Sequence, residues 1–229
     1  MNRTEASDRS RSEGPLPKLL LLITVSSGML DTVSFFDLGN VFVAAMTGNL
    51  VFLGIGMIGL GAFSPAALSL SSYAVGAICG GRLAFLKVTD RGLLLLLGTT
   101  AHAVVVMIAA LLVTCYGMEE ALVRNVVLVL LALSMGWQYS LVLRLKVPDL
   151  TTTVVTTTIT RLFGQPSPYD TQRRRVLMIG SLLCGVLIAA LLRRLFGPPA
   201  PLWAAGFILA TCASLVYFAL RRPDAREWR

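Results

Sequence analysis

Long apolar runs, separated by short polar or Pro/Gly-bearing stretches, dominate the chain. Eight candidate segments stand out, at 18–36, 38–63, 65–86, 92–116, 121–143, 147–163, 176–196 and 202–220. None shows the apolar/polar alternation of a membrane-spanning strand, so the pattern predicts helices. A helical span needs roughly 20 mostly apolar residues. The sixth segment fails that test. It carries Thr151, Thr152, Thr153, Thr156, Thr157, Thr158 and Thr160, and Pro148 with Asp149 disturbs its start. The second is long and apolar but is interrupted at Thr47-Gly48-Asn49, with Gly54, Gly56, Gly59 and Gly61 beyond. Such backbone is tolerated at membrane depth only where it faces protein or water. The expected fold is an all-α integral membrane protein of about six transmembrane helices plus two re-entrant or broken segments.

The segments fall into two sets of four. Gly28-Met29-Leu30-Asp31 lines up with Gly136-Trp137-Gln138-Tyr139, and the stretch from Ala44 to Asn49 with that from Thr153 to Thr158. These offsets of 108 and 109 residues suggest an internal duplication, a common transporter device. The expected organisation is a polar tail at 1–17, membrane repeats at 18–116 and 117–221, and a second tail at 222–229. Three crossings and one re-entrant piece per repeat would make the two repeats inverted. Aquaporin-type channels have a comparable layout, which is an analogy of plan and not of kinship.

Composition agrees with the pattern. Of 229 residues, 55% are hydrophobic and only 14% charged, with mean hydropathy +0.76. A soluble domain carries about 25% charged residues, so a soluble enzyme, a disordered chain and a disulfide scaffold are excluded. Cys79, Cys115, Cys184 and Cys212 lie in apolar runs without a CxxC or Cys/His cluster and read as small buried hydrophobes. Lys18 and the apolar run after it resemble a signal peptide, but no small-residue cleavage site closes the run, so a first span is expected.

The net charge of +8 bears on orientation, because basic residues collect in short cytoplasmic loops. If all eight segments crossed, Lys87, Arg91, Arg144 and Lys146 would lie on the wrong side. If the second and sixth dip in and return, 17 of the 20 Lys and Arg are cytoplasmic, the exceptions being Arg124, Arg193 and Arg194. Both termini are then expected in the cytoplasm. No basic stretch is interleaved with aromatics, so no nucleic-acid partner is expected.

Two stretches carry a family resemblance. Gly28 to Gly56 contains the Gly28-x-x-Asp31 step, Phe35, Val41-Phe42-Val43 and Met46-Thr47-Gly48-Asn49. Leu133 to Leu162 contains Met135-Gly136 with Gln138 and the threonines from Thr152 to Thr160. Together they resemble the YoaK family of multi-pass bacterial membrane proteins. The segment pattern matches over nearly all of 18–221. One departure is Thr157, where the family usually places glycine. The resemblance implies an integral protein of the bacterial inner membrane and names no substrate.

Asp31 is the sharpest chemical candidate, since a carboxylate inside a span costs at least a few kcal/mol unless paired, protonated or wet. The bland alternative is a place near the wet end of a tilted first span, and Asp37 just beyond reads as interfacial. Thr47, Gly48 and Asn49 on one side and Thr156, Thr157 and Thr158 on the other would form a neutral polar constriction for a solute or ion, or else ordinary helix-packing groups. Gln138 lies beside the position equivalent to Asp31. His102, the only histidine, joins Asp31 as a candidate for handling protons, although an interhelical hydrogen bond explains it as well. Arg82 reads as snorkelling to the cytoplasmic face. Gly76 and Gly80 read as a close helix–helix contact, and a homo-oligomer through them is a further expectation.

HExxH, GxSxG, Walker A and GxGxxG motifs are missing, and no enzyme, cofactor or metal site is expected. The function expected is a small-solute transporter or channel with a midplane polar site, its partners the lipid bilayer and the solute. The alternative is a non-transporting membrane scaffold or assembly partner. An intramembrane enzyme would need a second acid or nucleophile within about 3 Å of Asp31 or its bridging water.

Overall fold

The computed structural model describes residues 14–61, 63–83, 90–145 and 155–222. Six long helices dominate: α1 (Leu16–Asp37), α3 (Phe63–Ile78, extended by a π-helical turn at Cys79–Leu83), α4 (Arg91–Tyr116), α5 (Ala121–Leu145), α7 (Tyr169–Phe196) and α8 (Pro199–Leu220). Two are short, α2 (Met46–Met57) and α6 (Val155–Gly164). The six are long and apolar enough to cross a bilayer. The short ones, at 12 and 10 residues, reach about 18 and 15 Å against a hydrocarbon core of about 30 Å.

Local chemistry sets several helix ends. Pro17 occupies the first turn of α1 and Pro199 the first position of α8, where a missing N–H costs nothing. The Asp90 carboxylate accepts from Leu93 N at 2.9 Å and caps α4. Arg91 Nη2 donates to Leu145 O at 2.5 Å, satisfying a carbonyl at the end of α5. Arg175, only 5% exposed, donates from Nη1 to Arg161 O (2.8 Å) and Ser167 Oγ (3.1 Å), tying the end of α6 to α7.

The second segment departs from expectation in its detail. It is helical only from Met46, and the break falls at 38–45 and not at Thr47-Gly48-Asn49, which forms the first turn of α2. Gly39 (φ 102°) and Asn40 (φ 59°) both adopt the left-handed conformation and reverse the chain after α1. The seventh segment begins earlier than expected, at Tyr169, because its polar first turns pack against α6 through Arg175. Pro148, Asp149, Thr151 to Thr153 and nearly all of both polar tails lie outside the described residues.

Helices α1 and α5 form the middle of the bundle and are the most deeply buried of the six, while α3 and α7 are the most exposed. Helix α1 packs on α7, and α3 on α5; α4 packs on α8 and α5, and α1 also on α8. The short helices lie against their successors, α2 on α3 and α6 on α7. Glycine lets two of these pairs approach backbone to backbone. A Cβ on Gly28 would overlap Leu182 O and lie 3.2 Å from Val186 N, while one on Gly185 would overlap Val25 O. In the other pair a Cβ on Gly136 would overlap Tyr73 O and lie 2.9 Å from Ala77 N, and one on Gly76 would overlap Leu133 O. Each contact in the α1–α7 pair thus has a counterpart in the α3–α5 pair at a separation of 108 or 109 residues.

Gly76 and Gly80 are therefore a close helix–helix contact, as expected, but the partner is α5 of the same chain. Both are buried, and Gly80 faces Trp137. The expectation of a homo-oligomer through these two glycines is corrected accordingly, because the surface it needs is already occupied.

Candidate functional site

Asp31 lies six residues before the end of α1, about 9 Å along its axis. The chain turns at Gly39 and runs back beside α1. Asp31 Oδ1 accepts from the backbone N–H of Val43 at 2.9 Å and of Ala44 at 2.7 Å. Ala45, the N-cap of α2, offers no side-chain cap, and the Asp31 carboxylate holds the two amides just before it, those of Val43 and Ala44. This is where a negative group best complements a helix dipole. It also places the start of α2 at the depth of Asp31, well below the end of α1.

Asn49 holds the same turn from the other side. Its Oδ1 accepts from Phe42 N (2.8 Å), and its Nδ2 donates to Phe42 O (2.5 Å) and Ser69 Oγ (2.9 Å). Ser69 in turn donates to Phe42 O at 2.7 Å. The Phe42 ring stacks between Phe35 and Phe52, with centroids 5.5 and 6.0 Å away. Gly48 gives that ring its room, since a Cβ there would come within 2.9 Å of it.

Between the starts of the two short helices lies a cavity of about 430 Å³. Asp31, Ala44 and Ala45 line it together with Met46 and Thr47 of α2, Val155 and Thr156 of α6, Tyr73 of α3, Tyr139 of α5 and Leu182 of α7. Eight of these ten fall into pairs separated by 108 or 109 residues: Asp31 with Tyr139, Met46 with Val155, Thr47 with Thr156, and Tyr73 with Leu182. A smaller apolar cavity of about 280 Å³ lies on the other side of Asp31, beside Phe35, Phe36 and Phe42. A groove of about 640 Å³ between α4 and α8 is lined mostly by apolar side chains, with Thr100, Ser214 and Tyr217 among them and no charged group in its described lining.

The sequence-predicted residues divide three ways. Asp31, Thr47 and Thr156 meet at the cavity. Gly48 and Asn49 do not line it but build its wall, and Thr158 is buried towards Met178 Sδ at 3.9 Å, on the side of α6 that meets α7. Thr157 is exposed on α6. Gln138 and His102 lie elsewhere, in the seam between α4 and α5, where His102 Nδ1 and Gln138 Oε1 are 3.3 Å apart and both side chains are buried. Gln138, Gly48 and Asn49 are thus not among the described residues that line the cavity with Asp31: Gln138 faces the α4 seam, and Asn49 is engaged with Phe42 and Ser69. Asp31 and His102 do not share a site.

Tyr73 and Tyr139 were not singled out by sequence reasoning. The signal for Tyr139 was present: the 108-residue offset that aligns Gly28 with Gly136 takes Asp31 to Tyr139. Asp37, at the end of α1, receives a bidentate contact from Arg193, with Nε at 3.0 and 2.9 Å and Nη2 at 2.7 Å, and that guanidinium lies 5.1 Å from the Phe36 ring. This pairing gives Arg193, an exception to the charge count, a reason for its place. Among the described residues no three His, Cys, Asp or Glu side chains gather into a metal-binding cluster.

The family model described as "Protein of unknown function (DUF1275)" matches residues 19–215. The chain belongs to the DUF1275 family. The match runs from α1 into α8 and so takes in both short helices and the cavity. The chain is also 32% identical over 146 residues to the UPF0700 transmembrane protein YoaK of Bacillus subtilis (strain 168). That alignment covers 63% of this chain and 64% of the relative, just under two thirds of its length. No solved structure matches. With six helices of spanning length and this membership, the chain is a multi-pass membrane protein.

Proposed function

We propose that this DUF1275 member is a transporter or channel for a small solute in the bacterial inner membrane, built as two inverted repeats. The observation that carries this reading is the 430 Å³ cavity shared by the starts of both short helices and by Asp31. Broken helices that end near the midplane beside an ionisable residue are the usual setting of a transport site. The paired glycine contacts support the duplication, and three crossings per repeat make the halves inverted. Both termini then lie in the cytoplasm.

The orientation is tested by cysteine labelling in intact cells. Single cysteines at Ser64 and Glu119 should react with a membrane-impermeant maleimide from outside, and one at Pro166 only after the membrane is opened. Labelling of Pro166 from outside would end the inverted arrangement.

Transport is tested in proteoliposomes challenged with glycerol, urea, potassium and chloride. The passing solute should cross at least tenfold faster than in protein-free vesicles. Thr156→Trp, which fills the cavity, should cut that flux at least tenfold without lowering the yield of folded protein. Undiminished flux would remove the cavity from the path. A second reading, a non-transporting scaffold, is favoured by one observation: Asn49 is wholly engaged in internal contacts. It predicts no flux of any probe.

A further inference from the structure

We infer that the groove between α4 and α8 binds one anionic phospholipid, with an acyl chain along the groove and the phosphate at Arg221 and Arg222. The inference goes beyond the transport reading and does not depend on it. The two helices run antiparallel, because Trp203 Nε1 near the start of α8 donates to Thr114 Oγ1 near the end of α4 at 3.0 Å. The groove extends from Leu96 to Leu111 along α4 and from Trp203 to Phe218 along α8. Either stretch rises about 22 Å. That length takes a whole acyl chain, since two chains end to end fill a hydrocarbon core of about 30 Å. Val104, Ile108, Leu111 and Phe218 are exposed on these spanning helices, so the groove opens sideways to the bilayer.

The polar side chains of the groove ask nothing of an occupant. Thr100 Oγ1 donates to Leu96 O at 2.7 Å and Ser214 Oγ to Ala210 O at 2.9 Å, each within its own helix. Trp203 is bonded to Thr114, and Arg221 Nη2 donates to the Tyr217 hydroxyl. Hydrocarbon is what the groove presents, and hydrocarbon is what fits it.

Charge decides which way the lipid lies and which headgroup it carries. The Arg221 guanidinium lies 4.5 Å from the centroid of the Tyr217 ring, at the mouth of the groove, and Arg222 follows it. At that end α4 contributes Asp90 and Arg91, which offset each other, so these four described charges sum to +2. From 221 to 229 the sequence carries four arginines against Asp224 and Glu227, again a surplus of two. Past the other end of α4 stand Glu119 and Glu120, with Arg124 in the first turn of α5, a sum of −1. Arginine holds phosphate through paired hydrogen bonds, and basic residues just outside a span attract anionic lipid. A second copy is the rival occupant. Two copies inserted the same way pair about an axis along the membrane normal. Both sets of Arg221 and Arg222 would then meet at one end of the shared face, where like charges repel.

Native mass spectrometry of the full-length protein tests this, with phosphatidylglycerol or phosphatidylcholine of the same acyl chains added in detergent. One phosphatidylglycerol per chain should be retained, with an apparent affinity at least tenfold above that for phosphatidylcholine. Arg221→Gln combined with Arg222→Gln should bring the two lipids within twofold. Ala210→Trp fills the groove and should remove the retained lipid; Val104→Trp replaces it if that variant does not fold. Excess inorganic phosphate should leave the lipid in place, because the groove holds the chain. Equal retention of both lipids by the wild type overturns the inference, and so does displacement by phosphate. A preference for phosphatidylglycerol that survives either the arginine or the tryptophan change in folded protein overturns it as well. A dimer that Ala210→Trp dissociates would give the face to a second copy and overturn it too.

Discussion

Gly136→Leu should abolish the folded bundle, Gly76→Leu should do the same, and Gly180→Leu should leave it intact. At Gly136 the new Cβ alone would overlap the Tyr73 carbonyl oxygen and press on Ala77 N at 2.9 Å; at Gly76 it would overlap Leu133 O. The obstructing atoms are backbone, so no rotamer change relieves them, and α3 and α5 must part. Overpacking a core costs about 1–3 kcal/mol where side chains can adjust and more where they cannot. A cost of about 3 kcal/mol or more is a large share of a typical total stability of about 5–15 kcal/mol. Helix association in lipid depends on such close packing, since lipid tails are as apolar as leucine. Alanine at the same positions should be milder than leucine but still destabilising. Gly180 on α7 has nothing within 4 Å of its Cβ position, and leucine there should gain up to about 1 kcal/mol of helix propensity. Thermal unfolding in detergent, read by size-exclusion chromatography, measures all three. A monodisperse, wild-type-like Gly136→Leu protein would contradict the α3–α5 contact.

Asn49→Leu should be the next most damaging change, at about 2–4 kcal/mol. It leaves the partly buried Phe42 N–H without its acceptor and removes the Asn49 donors to Phe42 O and Ser69. An unsatisfied buried group costs about 1–3 kcal/mol, and each lost hydrogen bond about 1 kcal/mol. Ser69→Ala should cost about 1 kcal/mol, because Phe42 O keeps Asn49. The double variant should cost less than the sum of the two, since the three groups form one network, and the coupling should fall within about 0.5–3 kcal/mol. Additive costs would mean that Asn49 and Ser69 act independently. A loss of solute flux in Asn49→Leu without loss of stability would return Asn49 to the conduction path.

The two variants also divide what is legible in the residues from what is not. The six long helices are visible in the sequence because lipid demands roughly 20 apolar residues per span, a requirement on composition and length alone. The two short helices are visible as exceptions for the same reason: seven threonines between 151 and 160, or glycines around Thr47-Gly48-Asn49, do not suit a lipid-facing rod. Gly76-x-x-x-Gly80 is legible as a contact but not its partner, because the motif fits a neighbouring helix of the same chain as well as a second copy. Asp31 stands out because a membrane carboxylate is costly wherever it sits.

What Asp31 does with that cost is a matter of three dimensions. Its partners, Val43 and Ala44, are backbone groups whose identity carries no side-chain signal. Asn49 is polar, glycine-flanked and near the break, yet its direction is set by the turn at Gly39 and Asn40, which brings Phe42 back against it. Tyr73 and Tyr139 read in sequence as amphipathic rings, equally at home in a helix seam or at a lipid surface, and only the crossing of α3 and α5 turns them to the cavity. Gln138 and Tyr139 are adjacent on α5, but only Tyr139 lines that cavity, and Gln138 meets His102 in the α4 seam. Burial in a bilayer is dictated by amino-acid type, so the chain alone determines which stretches cross and which do not. Direction around a helix axis is dictated by the neighbours, so packing alone decides which polar groups meet.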